Sequence, residues 1–202
     1  MRTIIFGVLA LTLLHCAGPA KYVVIPKYVG TPPEAPEEKL LVHLGDPALY
    51  LTELNGKSHG RVYGALYVEP GPHRAVFAYD SGYYVSNGSL SLAFEGIAEQ
   101  VILVCSAPIY QPAGQHEFSW HIFMLVAPRA AGYSPTLTAN TNTTCLFWKN
   151  MLVGNVSAMR YNLKNSPSKL FRDANGDTIV EAARRNNASP GVVKVLVANG
   201  FE

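Results

Sequence analysis

No apolar run in this 202-residue chain is long enough to span a bilayer, which takes about 20 residues. Charge is also scarce: 15% of residues are Asp, Glu, Lys or Arg, and the formal net charge is +2. From Arg160 onward seven basic residues stand against four acidic ones, and the rest of the chain is near balance. That distribution has no dense basic footprint of the kind phosphate contacts need, so a nucleic-acid partner is not expected. There is no Gly-x-Ser-x-Gly elbow around Ser81, Ser89 or Ser106. His116-Glu117 with His121 does not have the spacing of the helical metalloprotease motif. No cofactor motif is present, and none is expected to be needed. Cysteine is limited to Cys16, Cys105 and Cys145.

What is present points to export. Arg2 precedes an apolar run from Ile4 to Leu14, and the small residues Ala17, Gly18 and Ala20 follow. This order reads as a signal peptide over residues 1–20, cleaved between Cys16 and Lys21. A buried first strand and a bacterial lipoprotein ending at Cys16 are the alternatives, the latter opposed by the bulky His15. With Cys16 gone or terminal, Cys105 and Cys145 remain, and an exported chain is expected to join them. Four triplets match the N-glycosylation acceptor, at Asn87, Asn142, Asn155 and Asn187, with Pro190 weakening the last. The expected location is secreted, extracellular or cell wall.

The organisation follows from punctuation and period. Residues 21–39 form an extended arm, since TPPEAPEEK (Thr31–Lys39) cannot make a core. Residues 40–163 are expected to be a β-rich domain and 164–202 a helical tail. Strands are expected at Leu40–Leu44, Ala48–Leu54, Arg61–Glu69, Arg74–Tyr79, Tyr83–Val85, Ser89–Phe94, Val101–Cys105 and Phe118–Val126. Cys145–Val153 and Ala158–Leu163 are expected as two more. Asn55-Gly56 and Asn87-Gly88 mark tight turns. Leu90, Leu92 and Phe94 alternate with small or polar residues and should share one face. In the tail, Thr178 and Glu181 form a capping box ahead of a helix over Ile179–Arg185. A second helix opens at Ser189-Pro190, presents Val192, Val193, Leu196 and Val197 on one face, and stops at Asn199-Gly200. The fold class is therefore mainly β, a sandwich or partly closed barrel, with a small C-terminal helical hairpin.

Two resemblances attach to these segments. Gly176, Thr178, Ala182, Ala183, Val192, Val193, Lys194, Leu196 and Gly200 stand in an order that resembles one ankyrin repeat. Ile179 replaces the repeat's proline and extra residues precede Gly191. Since a single repeat cannot bury its own face, the tail is read as a convergent hairpin. Gly60-Arg61-Val62, then Asn87-Gly88-Ser89-Leu90 and Cys105, resemble secreted fungal cell-wall proteins with a β-rich core. That resemblance implies a wall or surface role and names no ligand.

The candidate ligand-binding residues are Tyr79, Tyr83 and Tyr84, whose rings could stack on sugars or peptides. His116 and His121 are the metal candidates, with His43, His59 or His73 as a third donor. Asp80 and Glu95 are the carboxylates considered for glycosidic chemistry. In the stretch NTTCLFWKNMLVGNVS, Phe147 and Trp148 would face opposite ways on a strand, leaving one ring deeply buried and Lys149 solvated. The reading is a secreted glycoprotein with a structural or ligand-binding role at the cell surface or wall, carbohydrate or a surface protein being its partner. A secreted hydrolase or metal-dependent enzyme, and a host-directed effector, are the alternatives.

Overall fold

The computed structural model describes residues 27–28, 36–82, 85–86, 88–108, 117–118, 120–129 and 138–202. The expected signal peptide, most of the arm, Asn87, Tyr83, Tyr84 and His116 lie outside the described residues. In chain order the strands are β1 (Lys27–Tyr28), β2 (Leu40–Leu44), β3 (Leu49–Leu54), β4 (Lys57–Tyr63), β5 (Ala65–Val68), β6 (Gly71–Tyr79), β7 (Val85–Ser86), β8 (Leu90–Gly96), β9 (Gln100–Pro108), β10 (Glu117–Phe118) and β11 (Trp120–Pro128). Helices α1 (Thr138–Leu152) and α2 (Val156–Leu163) follow, then strand β12 (Arg172–Asp173) and helices α3 (Ile179–Arg185) and α4 (Pro190–Ala198). The chain is thus β-rich, with four described helices gathered at its C-terminal end.

The strands make a six-stranded sheet, ordered β1-β5-β2-β9-β11-β12, and a four-stranded one, ordered β4-β3-β6-β8. β10 and β7 pair separately. Between the two main sheets, Leu40, Val42 and Leu44 of β2, Leu49 and Leu51 of β3, Phe77 of β6, Phe94 of β8 and Ile102 and Val104 of β9 form one buried cluster. Leu90 and Leu92 pack against it with Phe94, as the alternation of β8 requires. The opposite face of the large sheet gives Leu41, Val101, Leu103, Cys105 and Leu125 to a second cluster with the four helices. The architecture is a sandwich backed by a helical layer. It explains why β2 and β9 read as unbroken apolar runs: both of their faces are covered.

The expected strand over Arg61–Glu69 is two. Gly64, at φ 80°, breaks it, and β4 stays in the small sheet while β5 joins the large one. A bulge between Leu51 and Glu53 bends β3, and the Thr52 hydroxyl donates to the Val76 carbonyl at 3.1 Å there.

Cys145–Val153 is not a strand. It is the body of α1, and Ala158–Leu163 lies within α2 rather than forming a strand. Thr144, Cys145, Trp148 and Met151 recur at helical spacing and are buried. Phe147 also turns inward, so both neighbouring rings are buried, at 0% and 2% exposure for Phe147 and Trp148. A helix face about 100° wide accepts adjacent residues that a strand sends to opposite sides. Lys149 is consequently half-buried rather than solvated. Phe147 stacks on Phe201 with centroids 5.0 Å apart, which anchors the end of the chain under α1.

The tail helices match their signals. Thr178 accepts from the Glu181 amide, and the Glu181 carboxylate accepts from the Thr178 amide at 2.7 Å. In α4 the buried face is Val192, Val195 and Leu196, while Val197 is 54% exposed, so the buried stripe is rotated from the expected one by roughly a fifth of a turn.

Candidate functional site

Cys105 and Cys145 are joined as a disulfide across 40 residues, with Cα atoms 5.4 Å apart. The bond fastens α1 to the centre of the large sheet. In the chain-entropy picture a loop of this size contributes about 4 kcal/mol. Gly45, just past β2, lies directly against the Cys145 sulfur, and a Cβ there would also come within 2.9 Å of Leu103. The residue must be glycine for the helix to sit this close.

The bond also gathers polar groups at one end of the sheets. β2 and β9 run parallel with Leu44 opposite Val104, so Asp46, just past β2, comes beside Ser106 near the carboxyl end of β9. Ser106 Oγ donates to Asp46 Oδ2 at 2.7 Å, and the Ala48 amide donates to Asp46 Oδ1 at 2.9 Å. Ser106 is opposite Ile122 on β11, and Trp120 stands two residues earlier, on the same inner face. The Tyr79 ring is 6.3 Å from that of Trp120 at a 49° tilt. Burial, and then the negative charge of Asp46, push the Tyr79 hydroxyl up to about 12. Trp120 is 6% exposed, and among the described residues its Nε1–H is the one buried side-chain polar atom with no hydrogen-bond partner. An unmet buried donor costs about 1–3 kcal/mol.

The other face of the same strand ends is cationic. Cys105 is opposite Phe123 and Ala107 opposite His121, which places His121 on the helix-facing side. Lys149, one turn on from Cys145, approaches from α1. Burial, opposed by the pull of Asp46, lowers the Lys149 ammonium. Burial and then the charge of Lys149 lower His121.

The sequence candidates are distributed as follows. Tyr79 belongs to this end of the sandwich. His121 is exposed, and among the described residues no group of His, Cys, Asp and Glu is arranged to hold a metal ion. His43 is 1% exposed inside the large sheet, where burial lowers it to about 4. His59 is on β4. His73 is committed on both nitrogens, Nε2 donating to the Glu69 carbonyl at 2.7 Å and Nδ1 accepting from Asn55 at 2.9 Å. Asp80 is engaged by the Gly82 amide and by Arg61 at 3.0 Å, which together hold its carboxyl below the usual range. Glu95 is opposite Pro72, eight positions down β6 from Asp80, a separation of roughly 25 Å. They do not flank one bond.

Of the described acceptor asparagines, Asn155 is exposed and caps α2, taking the Ala158 amide at 3.0 Å. Asn187 is exposed at φ 52°. Asn142 is half-buried within α1 instead of lying in a turn, and its third residue, Thr144, is fully buried with its Oγ1 accepting from the Ser168 amide at 3.0 Å.

Asp46, Ser106 and Lys149 carry no sequence motif. The one local hint was that apolar runs ended in Asp46 and Ser106, as parallel strands do where sites form. Chemically the cluster offers a carboxylate and hydroxyl as hydrogen-bond partners, an aromatic wall, an unmet donor and two basic groups. Ser106 donates to a carboxylate and is not in hydrogen-bond contact with Lys149 or His121, which suits recognition better than nucleophilic attack. Among the described residues no helix is long and apolar enough to cross a membrane. No family model, curated protein or solved structure matches the chain.

Proposed function

We propose that this is an exported glycoprotein of the cell surface or wall that binds a hydroxyl-rich ligand, a carbohydrate, at the sandwich end bearing Asp46, Tyr79, Ser106 and Trp120. The observation that carries this reading is the Trp120 Nε1–H, without a partner among the described residues, beside the Tyr79 ring and the Asp46–Ser106 pair. A sugar hydroxyl can accept from the indole and donate to a carboxylate at once, and an aromatic face suits its C–H surface. Export is supported by the disulfide, which persists in oxidising compartments. Glycans would sit at Asn155 or Asn187, both exposed.

The test is calorimetric titration of neutral oligosaccharides into the wild type and Trp120→Phe. The variant keeps the ring and loses the donor. Expected is at least a tenfold weaker affinity in Trp120→Phe, with thermal stability unchanged or raised because an unmet buried donor is gone. Equal affinity in the two proteins, or no saccharide bound by either, overturns the reading.

A further inference from the structure

We infer that Lys149 and His121 form a subsite for an oxyanion, the carboxylate or sulfate of an acidic saccharide, on the helix-facing side of the same strand ends. This rests on the proposed saccharide site for the identity of the ligand, though not for the binding of the anion itself.

The argument begins with placement. The disulfide pins Cys145 to Cys105, the β9–β11 register sets His121 two residues beyond that point on the same face, and α1 carries Lys149 one turn past Cys145. Two basic groups are thereby brought to the same side of one strand end by the covalent frame. Among the described residues neither side chain has a hydrogen bond or an ion pair. Lysines are seldom withdrawn from water without a partner, because desolvating the ammonium costs free energy that only an anion or a set of acceptors restores.

The charged groups acting here are few. Lys149 repels the His121 proton, and Asp46, from the turn after β2, attracts the Lys149 ammonium. Among the described residues Asp46 makes no ion pair with Lys149; its oxygens accept from Ser106 and from the Ala48 amide. An external oxyanion lying between Lys149 Nζ and the imidazole would relieve the repulsion and supply a counter-charge in direct contact, which the more distant Asp46 does not. By linkage it would bind best when His121 is protonated, so affinity should rise as pH falls through the imidazole range. Since the two faces meet at one strand end, a saccharide held at Trp120 could place an acidic substituent on Lys149 and His121.

The experiment follows the His121 imidazole by NMR through a pH titration, with sodium glucuronate, sodium sulfate, sodium acetate or glucose added. Expected is a saturable rise in the His121 midpoint with glucuronate or sulfate, none with glucose, and loss of the rise in Lys149→Gln. His121→Gln should remove the pH dependence of glucuronate affinity. Whether glucuronate or sulfate shifts the midpoint further identifies which oxyanion the subsite takes. If neither anion moves the midpoint, or Lys149→Gln shifts as the wild type does, the subsite is refuted whatever the neutral sugars do. If acetate acts as well as glucuronate while neutral sugars fail to bind, the subsite stands and the saccharide reading falls.

Discussion

Between its two sheets the protein buries one face of the small sheet, whose strands β3, β4, β6 and β8 lie close in sequence, against the inner face of the large one. Behind the large sheet it buries side chains from β2 and β9 against helices that begin at residue 138. In the first core the small sheet supplies antiparallel neighbours, which pack on the inner face of the large sheet. The second joins distant segments and is tied by a covalent bond. The small sheet can assemble from short loops, whereas the helical layer depends on closing long ones, an entropic cost that the disulfide reduces in the unfolded chain.

The largest expected effect treats the two cores alike. Phe77→Ala empties the sandwich core and Phe147→Ala the helical one, both from fully buried positions. Each should cost about 3–5 kcal/mol in denaturant unfolding. A Phe147 variant as stable as the wild type would show that α1 does not hold the helical layer, and the comparison of two equal cores would break.

Next in size is the pH response, which belongs to the helical side of β2. His43 is held neutral when folded, with its midpoint lowered from 6.5 to about 4 by burial. Between those values the unfolded chain binds the extra proton. Stability is therefore complete above about pH 6.5 and is lost as pH falls toward 4, by about 3 kcal/mol. Unfolding free energies at pH 7 and pH 4 should show this loss, and His43→Leu should have a shallower slope. An unchanged slope in that variant would place the acid sensitivity elsewhere.

The smallest effect sharpens the contrast between local and long-range determinants. Thr178→Ala removes the side-chain half of a capping box at α3 and should cost about 1 kcal/mol, with Thr178→Ser close to the wild type. Thermal unfolding of the pair checks it; equal losses in both would mean that the methyl group, not the hydroxyl, matters there.

These regions also differed in legibility. Strand β8 and the helix α3 were readable because their signals are local: alternation in one, a cap and a helical run in the other. The helix α1 was hidden because Thr, Cys, Phe and Trp favour strands, and its burial pattern includes adjacent residues. The break at Gly64 was hidden for another reason. Tyr63 and Ala65 both lie in strands, and the single Gly64 between them, at φ 80°, sends the two sides to different sheets. At the candidate site, Tyr79 and His121 were identifiable as residue types. Ser106 and Asp46 lie 60 positions apart, and no spacing rule connects them.

The sequence by itself determined the β-rich class, the turns, the two tail helices and the cysteine pair, since each rests on neighbours within a few positions or on a count of residues. The tertiary structure decided that α1 is a helix, because its threonines, cysteine and rings gain more by packing on the large sheet than their strand preference costs. It also decided which face each strand end presents, and so brought Asp46, Ser106, Trp120, His121 and Lys149 to one place. Register and a disulfide set those positions, and both are relations between distant segments that no local pattern encodes.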